Sequence, residues 1–251
     1  MAPPIRPGRA YVGTSGFAYP DWAPRFYPSG LKAGGLLPAY AARLNAVELN
    51  NTFYQSPSAE RIASWVSATP LEFRFVVKAQ RGGSFRSLRG DATESVPWLT
   101  APYRHFGEQL GCVLFHVDPR MKRDDDALAR LLDAWPADMP IALELQHPSW
   151  LDDEVHAVIR AHGAVLCATD LDDLATPPDM RRTGAFLYLR LRRHGYTTTD
   201  LADWAARLRP FLDDGMDAFV ILRHDEDGST ALHAEALAQL LSPAEGTAGG
   251  R

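Results

Sequence analysis

The chain has 251 residues, of which 46% are hydrophobic and 23% are charged, a composition typical of a globular protein with a sizeable core. Its formal net charge of -5 argues against a general nucleic-acid coat or a membrane-surface protein, because both depend on a surplus of lysine and arginine. Nowhere does the sequence approach the roughly 20 consecutive apolar residues of a membrane span, so no membrane partner is expected.

The N-terminus and the cysteines indicate the compartment. The first ten residues, MAPPIRPGRA, lack the apolar core of a signal peptide. Cys112 and Cys167 lie in separate apolar stretches, and their spacing is not that of a zinc site or a redox motif. We expect both to be buried thiols in a reducing compartment, which predicts a cytoplasmic protein.

Eight segments have the length and apolar pattern of β-strands. These strands are Tyr11–Ser15, Ala46–Asn50, Phe73–Lys78, Cys112–Val117, Ile141–Leu145, Val165–Asp170, Phe186–Arg192 and Ala218–Arg223. Helical patterns follow most of them, at Leu36–Leu44, Ala59–Ser67, Pro97–Gln109, Asp124–Trp135, Asp152–Ala161, Asp200–Leu212 and Ala231–Leu241. The sixth connection, LDDLATPPDMRRTG, contains too much proline for a long helix.

Eight strands with mostly helical connections predict a single closed (β/α)8 barrel, the TIM-type α/β fold, with its site at the C-terminal ends of the strands. A doubly wound open sheet is the alternative. It is disfavoured because the first strand-to-helix connection has no compact dinucleotide-binding glycine motif. No cofactor is predicted. The barrel domain is expected at 10–242, between flexible tails at 1–9 and 243–251 that are rich in proline, glycine and alanine.

The segment at 46–54, AVELNNTFY, alternates like a strand and places Glu48 and Asn50 on one face. In a barrel, such parity predicts which side chains point into the interior at the strand ends. For the eighth strand the parity leaves two residues open. The predicted inward ring is Ser15, Glu48, Asn50, Lys78, His116, Glu144, Asp170, Arg190, Arg192 and either Arg223 or His224.

This ring has two interpretations. One is a structural plug, since buried charges must be paired. However, apolar residues often replace such a plug at little cost in stability, so stability alone does not explain a whole ring of charges. The other is a catalytic site, because clustered charges perturb one another's pKa values and so suit acid–base chemistry. We predict Glu48, Lys78, Glu144 and Asp170 as its catalytic residues.

Two loops beside the ring add candidates. The aromatic segment at 17–28 contains Tyr19 and Trp22, and it is either a lid over a ligand or a hydrophobic cluster that seals the barrel rim. The segment at 80–91, QRGGSFRSLRGD, is predicted to be a cationic loop beside Lys78. Such a loop suits an anionic ligand, although solvated surface loops have the same composition.

The segment at 146–150, QHPSW, either brings His147 and Trp150 to the rim or forms a turn set by its proline, with the tryptophan packed on a helix. Tyr54 ends the AVELNNTFY segment and is also placed at the ligand. The predicted ligand-binding residues are Ser15, Tyr19, Trp22, Asn50, Tyr54, His116, His147, Trp150, Arg190, Arg192 and His224.

Five motifs, taken together in this order, resemble the YecE-like family, also called domain of unknown function 72 (DUF72). The motifs are YVGTSGFAYPDW at 11–22, FYP at 26–28, VELNNTFY at 47–54, FRFVVKA at 73–79 and ELQHPSW at 144–150. The resemblance covers Tyr11 to about Leu241. It implies the same TIM-type barrel, but the family has no established reaction to transfer. The site residues that keep the family pattern are Glu48, Asn50, Lys78, Glu144, His147, Asp170 and Arg190.

Four rim residues, at the ends of three strands, depart from that pattern. FHVDP stands where the family typically has Phe-Gln-Leu-Pro-Pro, so His116 takes a glutamine position. RLRR stands for Arg-Leu-His-Gly, so Arg192 takes a histidine position. Arg223 and His224 stand for a pair of asparagines. These departures indicate either a subfamily with a different ligand or the loss of an ancestral activity.

The favoured hypothesis is an enzyme that acts on a small anionic metabolite, either phosphorylated or sugar-derived. Arg190, Arg192 and Lys78 would bind the anion through charge-assisted hydrogen bonds. Glu144 and Glu48 would exchange protons with it. Alternatively, a desolvated Lys78 would act as an amine nucleophile.

Two other functional classes stay open. A metal-dependent isomerase or phosphodiesterase would draw its ligands from Glu48, His116, Glu144, Asp170 and His224. The cations in the same mouth would repel the metal ion, so no metal is predicted. A non-catalytic binder of nucleic acid or of a partner protein would use the aromatic segment and the arginine-rich loop. An acidic protein with one short basic loop is a poor general binder of nucleic acid. The sequence does not indicate an oligomeric state.

Overall fold

Eight parallel strands close into a barrel in a computed structural model of the chain, which describes residues 6–242. The strands are β1 (Ala10–Ser15), β2 (Ala46–Leu49), β3 (Arg74–Lys78), β4 (Leu110–His116), β5 (Ile141–Glu144), β6 (Val165–Asp170), β7 (Phe186–Leu191) and β8 (Asp217–Leu222). Because β1 pairs with both β2 and β8, the sheet has no open edge. The predicted (β/α)8 barrel is confirmed, and the open-sheet alternative is wrong.

Eight α-helices accompany the strands in the described part of the chain. They are α1 (Ala33–Ala41), α2 (Ala59–Ser67), α3 (Arg81–Arg89), α4 (Ala92–Thr100), α5 (Asp125–Ala134), α6 (Asp153–Ala161), α7 (Thr198–Asp213) and α8 (Ser229–Leu241). Short 3-10 helices lie at Pro20–Trp22, Asn51–Phe53, Ala101–Gln109 and Pro148–Trp150. The connection from β6 to β7 forms no helix, as its prolines predicted. Within residues 6–242, every helix is too short or too polar to cross a bilayer.

The segment at 80–91 corrects a prediction, because it forms α3 and not a loop. Gln80 caps this helix by accepting a hydrogen bond from the backbone N–H of Gly83 at 2.6 Å. Gly83 also lets α3 lie close to α4, since a Cβ at this position would come within 2.7 Å of Leu99 and 3.0 Å of Trp98. Packing of one helix against another therefore overrides the poor helix propensity of adjacent glycines.

Aromatic and small apolar side chains fill the N-terminal half of the barrel interior. Tyr11 stacks on Phe219 with 4.8 Å between ring centroids, and Phe186 meets Phe219 edge-on at 5.3 Å. Cys112 and Cys167 are free thiols buried in the same interior cluster. This packing closes the barrel from below, while the polar interior side chains lie at the C-terminal ends of the strands.

Part of the predicted N-terminal tail is attached to the barrel. The backbone N–H of Gly8 donates to the carbonyl oxygen of Leu212 at 2.7 Å, and that of Arg9 donates to Asp217 at 2.7 Å. The rest of this tail, 1–5, and the predicted C-terminal tail at 243–251 lie outside the described residues.

Candidate functional site

Three strands bring two glutamates and an arginine together at the C-terminal end of the barrel. Glu48 on β2, Glu144 on β5 and Arg190 on β7 point inward, as parity predicted, and none is more than 3% exposed. The guanidinium Nη1 of Arg190 donates to both oxygens of Glu144 at 2.7 Å. Its Nη2 donates to Glu48 at 2.6 Å. One buried cation thus joins two buried carboxylates.

Other side chains satisfy the remaining carboxylate oxygens. The Tyr188 hydroxyl donates to Glu48 at 2.8 Å. Thr169 and Gln146 each donate to Glu144 at 3.1 Å. Both carboxylates are thus buried, and each of their oxygens accepts at least one hydrogen bond from the chain itself. The prediction that Glu48 and Glu144 exchange protons directly with the ligand therefore does not fit this geometry.

His116 is the partly exposed member of this network. Its Nδ1 lies 2.6 Å from Oε2 of Glu144. Burial would raise the pKa of Glu144, but the charge of Arg190 and the hydrogen bond from His116 hold that pKa well below its ordinary value. An ionised carboxylate only accepts hydrogen bonds, so Nδ1 of His116 is the donor. The Nε2 atom has no hydrogen bond to any residue of 6–242, and the side chain is 18% exposed.

Two cations at the same end of the barrel have no carboxylate partner. Within residues 6–242, neither Lys78 nor Arg192 forms an ion pair or a side-chain hydrogen bond. Burial, and next the charge of Arg190, lower the pKa of both side chains. The Lys78 ammonium lies 4.5 Å from the centre of the Phe53 ring. Three cations against two carboxylates leave the mouth positively charged.

A second histidine belongs to the opposite part of the rim. Ser15 Oγ accepts a hydrogen bond from the backbone N–H of His224 at 3.1 Å and lies 3.2 Å from its Nδ1. Tyr19 stacks on the His224 ring with 4.9 Å between centroids. This position of Tyr19 requires Gly16, where φ is 96° and a Cβ would lie 2.5 Å from the tyrosine hydroxyl. Burial, and next the charge of Arg192, lower the pKa of His224.

Parity left open whether Arg223 or His224 faces the barrel interior after β8. The structure places His224 there. Arg223 turns to the outside of the rim, where its guanidinium donates to His194 at 2.7 Å. His194 is in turn hydrogen-bonded to Asp172 at 2.6 Å. Arg223 therefore has partners of its own, whereas His224 contacts the inward-facing Ser15.

Asp170 corrects the parity prediction. It faces away from the barrel interior, and its Oδ2 accepts from Tyr196 at 2.8 Å and lies 3.6 Å from Nε of Arg193. Thr169 takes the inward position and reaches Glu144. The prediction failed because a barrel strand is buried on both faces. In β6 the two alternating sets of side chains are both mainly apolar, so the sequence VLCATD does not show which set faces the interior.

Two predicted ligand-binding tryptophans are structural. Trp22 is fully buried, and its indole N–H donates to the carbonyl oxygen of Asp225 at 3.0 Å. Phe26 packs edge-on against it, which favours the sealing-cluster interpretation of 17–28 over a lid. Trp150 is 1% exposed and donates to the carbonyl oxygen of Met121 at 2.9 Å. Neither ring is accessible to a ligand, so the predicted contacts are wrong.

Three further candidates lie outside the network. His147 uses Nδ1 to accept from the backbone N–H of Ser149 at 3.1 Å, which caps a short helix. Asn50 lies beyond the end of β2, and its side chain makes no hydrogen bond within residues 6–242. Tyr54 is 78% exposed and meets the Phe53 ring edge-on at 5.5 Å. Within residues 6–242, none of these side chains forms a hydrogen bond or an ion pair with the charged groups of the network.

A cavity of about 700 Å³ opens beside His116, and the sequence did not predict it. Phe53, Phe85, Leu88 and Met121 contribute to its wall. The Phe53 ring also meets His116 edge-on at 5.9 Å. Phe53 belongs to the NNTFY run, which is part of a motif identified in the sequence. The wall formed by α3 could not be predicted, because that segment was expected to be a loop.

The residues considered for a metal ion do not converge. Within residues 6–242, no three His, Cys, Asp or Glu side chains form a group that could hold a metal ion. Arg190 lies between Glu48 and Glu144, and Asp170 faces outward. The alternative metal site is therefore not formed by the predicted set.

The N-terminus of α8 is occupied by a carboxylate of the chain itself. Asp225 accepts from the backbone N–H of Gly228 at 2.8 Å, from that of Thr230 at 2.6 Å and from the Ser229 hydroxyl at 2.6 Å. Barrel enzymes frequently bind phosphate near this end of the last strands. Here Asp225 fills the helix N-terminus, so an external anion in the inner part of the mouth would meet Lys78 and Arg192 and not this helix.

Sequence comparisons identify relatives of the whole chain. The family model described as "Protein of unknown function DUF72" matches residues 11–249. The UPF0759 protein YunF of Bacillus subtilis (strain 168) is 25% identical over an alignment 270 positions long, which covers 92% of this chain and 94% of YunF. The UPF0759 protein YecE of Escherichia coli (strain K12) is 24% identical over 141 residues, which cover 56% of this chain and 49% of YecE.

Solved structures share the fold. A DUF72 family protein from Thermotoga maritima MSB8 superposes with a TM-score of 0.79 and 24% identity, covering 94% of this chain and 100% of that one. A DUF72 family protein from Enterococcus faecalis V583 gives a TM-score of 0.76 and 21% identity, covering 94% and 96%. At these identities the likeness shows a common barrel and nothing about the reaction.

Proposed function

The chain belongs to the DUF72 family, whose members are described as proteins of unknown function, and on that premise we propose a function from the barrel mouth. The protein is an enzyme that binds a small anionic metabolite, phosphorylated or sugar-derived, and transfers a proton between this ligand and His116. One observation carries the proposal: Lys78 and Arg192 are partly buried cations with no carboxylate partner in the described chain.

Unpaired cations in a partly buried site are costly, because each loses solvation without gaining a counter-ion. An anion between Lys78 and Arg192 would supply that counter-ion through charge-assisted hydrogen bonds. The carboxylates of Glu48 and Glu144 do not compete for these cations, since both are already bound to Arg190. The net positive charge of the mouth favours an anionic ligand over a neutral one.

The proton-transfer role falls to His116. Glu144 holds its Nδ1–H, so Nε2 is the nitrogen that can take up or release a proton at the ligand. Glu144 is then a positioning residue, and Glu48 fixes the arginine that fixes Glu144. This assignment replaces the direct acid–base roles that the sequence suggested for the two glutamates.

The first experiment identifies the ligand class. A thermal-melt panel of phosphorylated metabolites and sugar acids is measured on the wild type, on Arg192→Met and on Arg223→Met, the matched rim arginine that is bound to His194. A ligand that binds only the folded protein raises its melting temperature by mass action. We expect anions to stabilise the wild type and Arg223→Met but not Arg192→Met. Equal stabilisation of all three proteins would contradict the anion site.

The second experiment tests the proton transfer. Turnover of each stabilising ligand is followed by NMR in the wild type and in His116→Gln, which introduces the residue that the family resemblance places here. We expect anion affinity to stay within about twofold and turnover to fall by about 100-fold or more, the usual effect of losing a general acid or base. Undiminished turnover in His116→Gln would remove His116 from the mechanism.

We further infer a cytoplasmic location. Cys112 and Cys167, the two cysteines of the chain, are free thiols buried in the barrel interior. This arrangement supports a reducing compartment. Localisation of a tagged protein by cell fractionation tests it, and recovery from an extracytoplasmic fraction would contradict it.

A further inference from the structure

The cavity beside His116 has the size of a small-molecule site and a composition unlike that of the charged mouth. Its volume of about 700 Å³ falls in the range of cavities that hold small ligands. Phe53, Phe85, Leu88, Phe115 and Met121 supply apolar wall. Phe85 lies on α3 and is 63% exposed, so its ring is accessible to a ligand in the cavity.

Arginines face the same space. Arg81 and Arg89, both on α3, line the cavity and form no ion pair within residues 6–242. Arg120 also lines it but is neutralised by Asp118 at 2.7 Å. The guanidinium of Arg89 lies 5.8 Å from the centre of the Phe85 ring. Guanidinium planes and phenyl rings together suit a flat aromatic group, which stacks on both.

Phe53 and His116 connect the cavity to the mouth. Both line the cavity, and Phe53 at the same time carries the Lys78 ammonium 4.5 Å from its ring centre. His116 reaches the buried network through Glu144. A ligand that fills both spaces therefore has its anionic group at Lys78 and its bulk in the cavity beside Phe53 and His116.

We propose that the substrate is an aromatic anion, in which a phosphate or carboxylate at Lys78 and Arg192 is joined to a flat aromatic group held in the cavity between Phe53 and Phe85. This inference rests on the proposed function for the anionic group and adds the chemical class of the remainder. His116 lies at the junction of the two spaces, so its Nε2 exchanges a proton with the part of the ligand beside the anionic group.

The experiment compares ligands that differ only in the group attached to phosphate. Binding of methyl phosphate, octyl phosphate and 1-naphthyl phosphate is measured by calorimetry on the full chain. We expect 1-naphthyl phosphate to bind the wild type about tenfold or more tightly than methyl phosphate, because an aromatic ring leaves water. Octyl phosphate is expected to bind less tightly than 1-naphthyl phosphate, since an alkyl chain does not stack on arginine.

Matched variants on α3 and α4 test whether the tighter binding of 1-naphthyl phosphate comes from the cavity. Phe85→Ser and Arg89→Gln are expected to reduce the naphthyl advantage to about threefold or less. Their controls are Trp98→Ser and Arg86→Gln, a second exposed aromatic–arginine pair that lies outside the cavity, with 4.4 Å between the guanidinium and the ring centre. All four side chains are exposed, and urea unfolding checks that each variant keeps the stability of the wild type. The controls should keep the full advantage.

The outcomes separate this inference from the proposed function. Equal affinity for methyl and naphthyl phosphate overturns the aromatic substrate, and so does an equal loss in Trp98→Ser. An octyl advantage as large as the naphthyl advantage overturns the aromatic class. If methyl phosphate binds the wild type and Lys78→Met equally, the proposed anion site fails. If that binding is lost in Lys78→Met without any naphthyl advantage, only the two-part substrate fails.

Discussion

Two groups of charges lie within one barrel mouth and are held in opposite ways. Arg190 is 3% exposed and is bound to Glu48 and Glu144, whose other oxygens are also hydrogen-bonded. Arg192, two residues further along the same side of the chain, forms no ion pair in the described structure and is only partly buried. The charges of the first group are paired without a ligand, although Nε of Arg190 has no hydrogen-bond partner within residues 6–242. The cation of the second group has no counter-ion there.

This difference distinguishes charged residues that hold the geometry of the site from charged residues that can bind a ligand. A buried, fully paired network holds its members in one geometry, and removing one partner leaves the others uncompensated. A cation without a partner adds little to stability, and so its presence is explained by what it binds. Ionisable residues in a barrel mouth should therefore be sorted by their partners before any of them is called catalytic.

The largest expected effect comes from breaking the paired group. Arg190→Met should lower the free energy of unfolding by about 3–5 kcal/mol, because two buried carboxylates lose their cation. Arg192→Met should change it by less than about 1 kcal/mol. Urea unfolding at neutral pH measures both. A small loss of unfolding free energy in Arg190→Met, or an equal loss in both variants, would contradict the distinction between the paired and the unpaired arginine.

Tyr188 tests the same network at its edge. Tyr188→Phe removes the hydroxyl that donates to Glu48 at 2.8 Å, and it should lower the free energy of unfolding by about 2 kcal/mol, since a buried carboxylate oxygen is left unpaired. Tyr19→Phe is the control, because its hydroxyl donates to a backbone carbonyl at the half-exposed rim. We expect a loss below about 1 kcal/mol there. Equal losses in urea unfolding would count against a special role for the network.

The unpaired group should respond in binding and not in stability. Lys78→Met should weaken the affinity for inorganic phosphate by about tenfold, or about 1.4 kcal/mol, while leaving the unfolding midpoint close to that of the wild type. Calorimetric titration and urea unfolding on the same preparation give both quantities. A variant that loses stability and keeps its phosphate affinity would move Lys78 into the structural group.

The smallest expected effect is on the titration of His224. Burial and then the charge of Arg192 hold its pKa below the ordinary value of 6.5. The unfolded chain then binds more protons than the folded protein, so stability rises with pH from that lowered pKa up to about 6.5. Arg192→Met should raise the pKa of His224 and flatten this slope. NMR of the ring protons measures the shift, and an unchanged pKa would place Arg192 too far from His224 to matter.

The sequence predicted the barrel and most of its inward positions. Strand count and parity suffice for Glu48, Lys78, His116, Glu144 and Arg190, because in those strands the charged end residue shares a face with the interior residues. Parity fails in β6, where both faces are apolar. The prediction therefore placed Asp170 in the interior, where the structure has Thr169.

Tertiary packing decides the features that the sequence did not show. Trp22 and Trp150 lie in segments that follow barrel strands, where ligand-binding aromatic residues are common, but both rings are buried. The α3 helix depends on the fit of Gly83 against α4, which no local pattern records. Since α3 forms a wall of the cavity beside His116, the cavity was equally invisible.

The Asp225 carboxylate at the start of α8 limits what can be transferred from other barrel enzymes. Superposing this barrel on a phosphate-binding barrel would place the phosphate near the loops after the last two strands, where Asp225 already holds a negative charge with three hydrogen bonds. A ligand positioned by such a superposition would meet a carboxylate and not a cation. For this chain, strand numbering is therefore a poor guide to ligand orientation, and docking should start from the ammonium of Lys78.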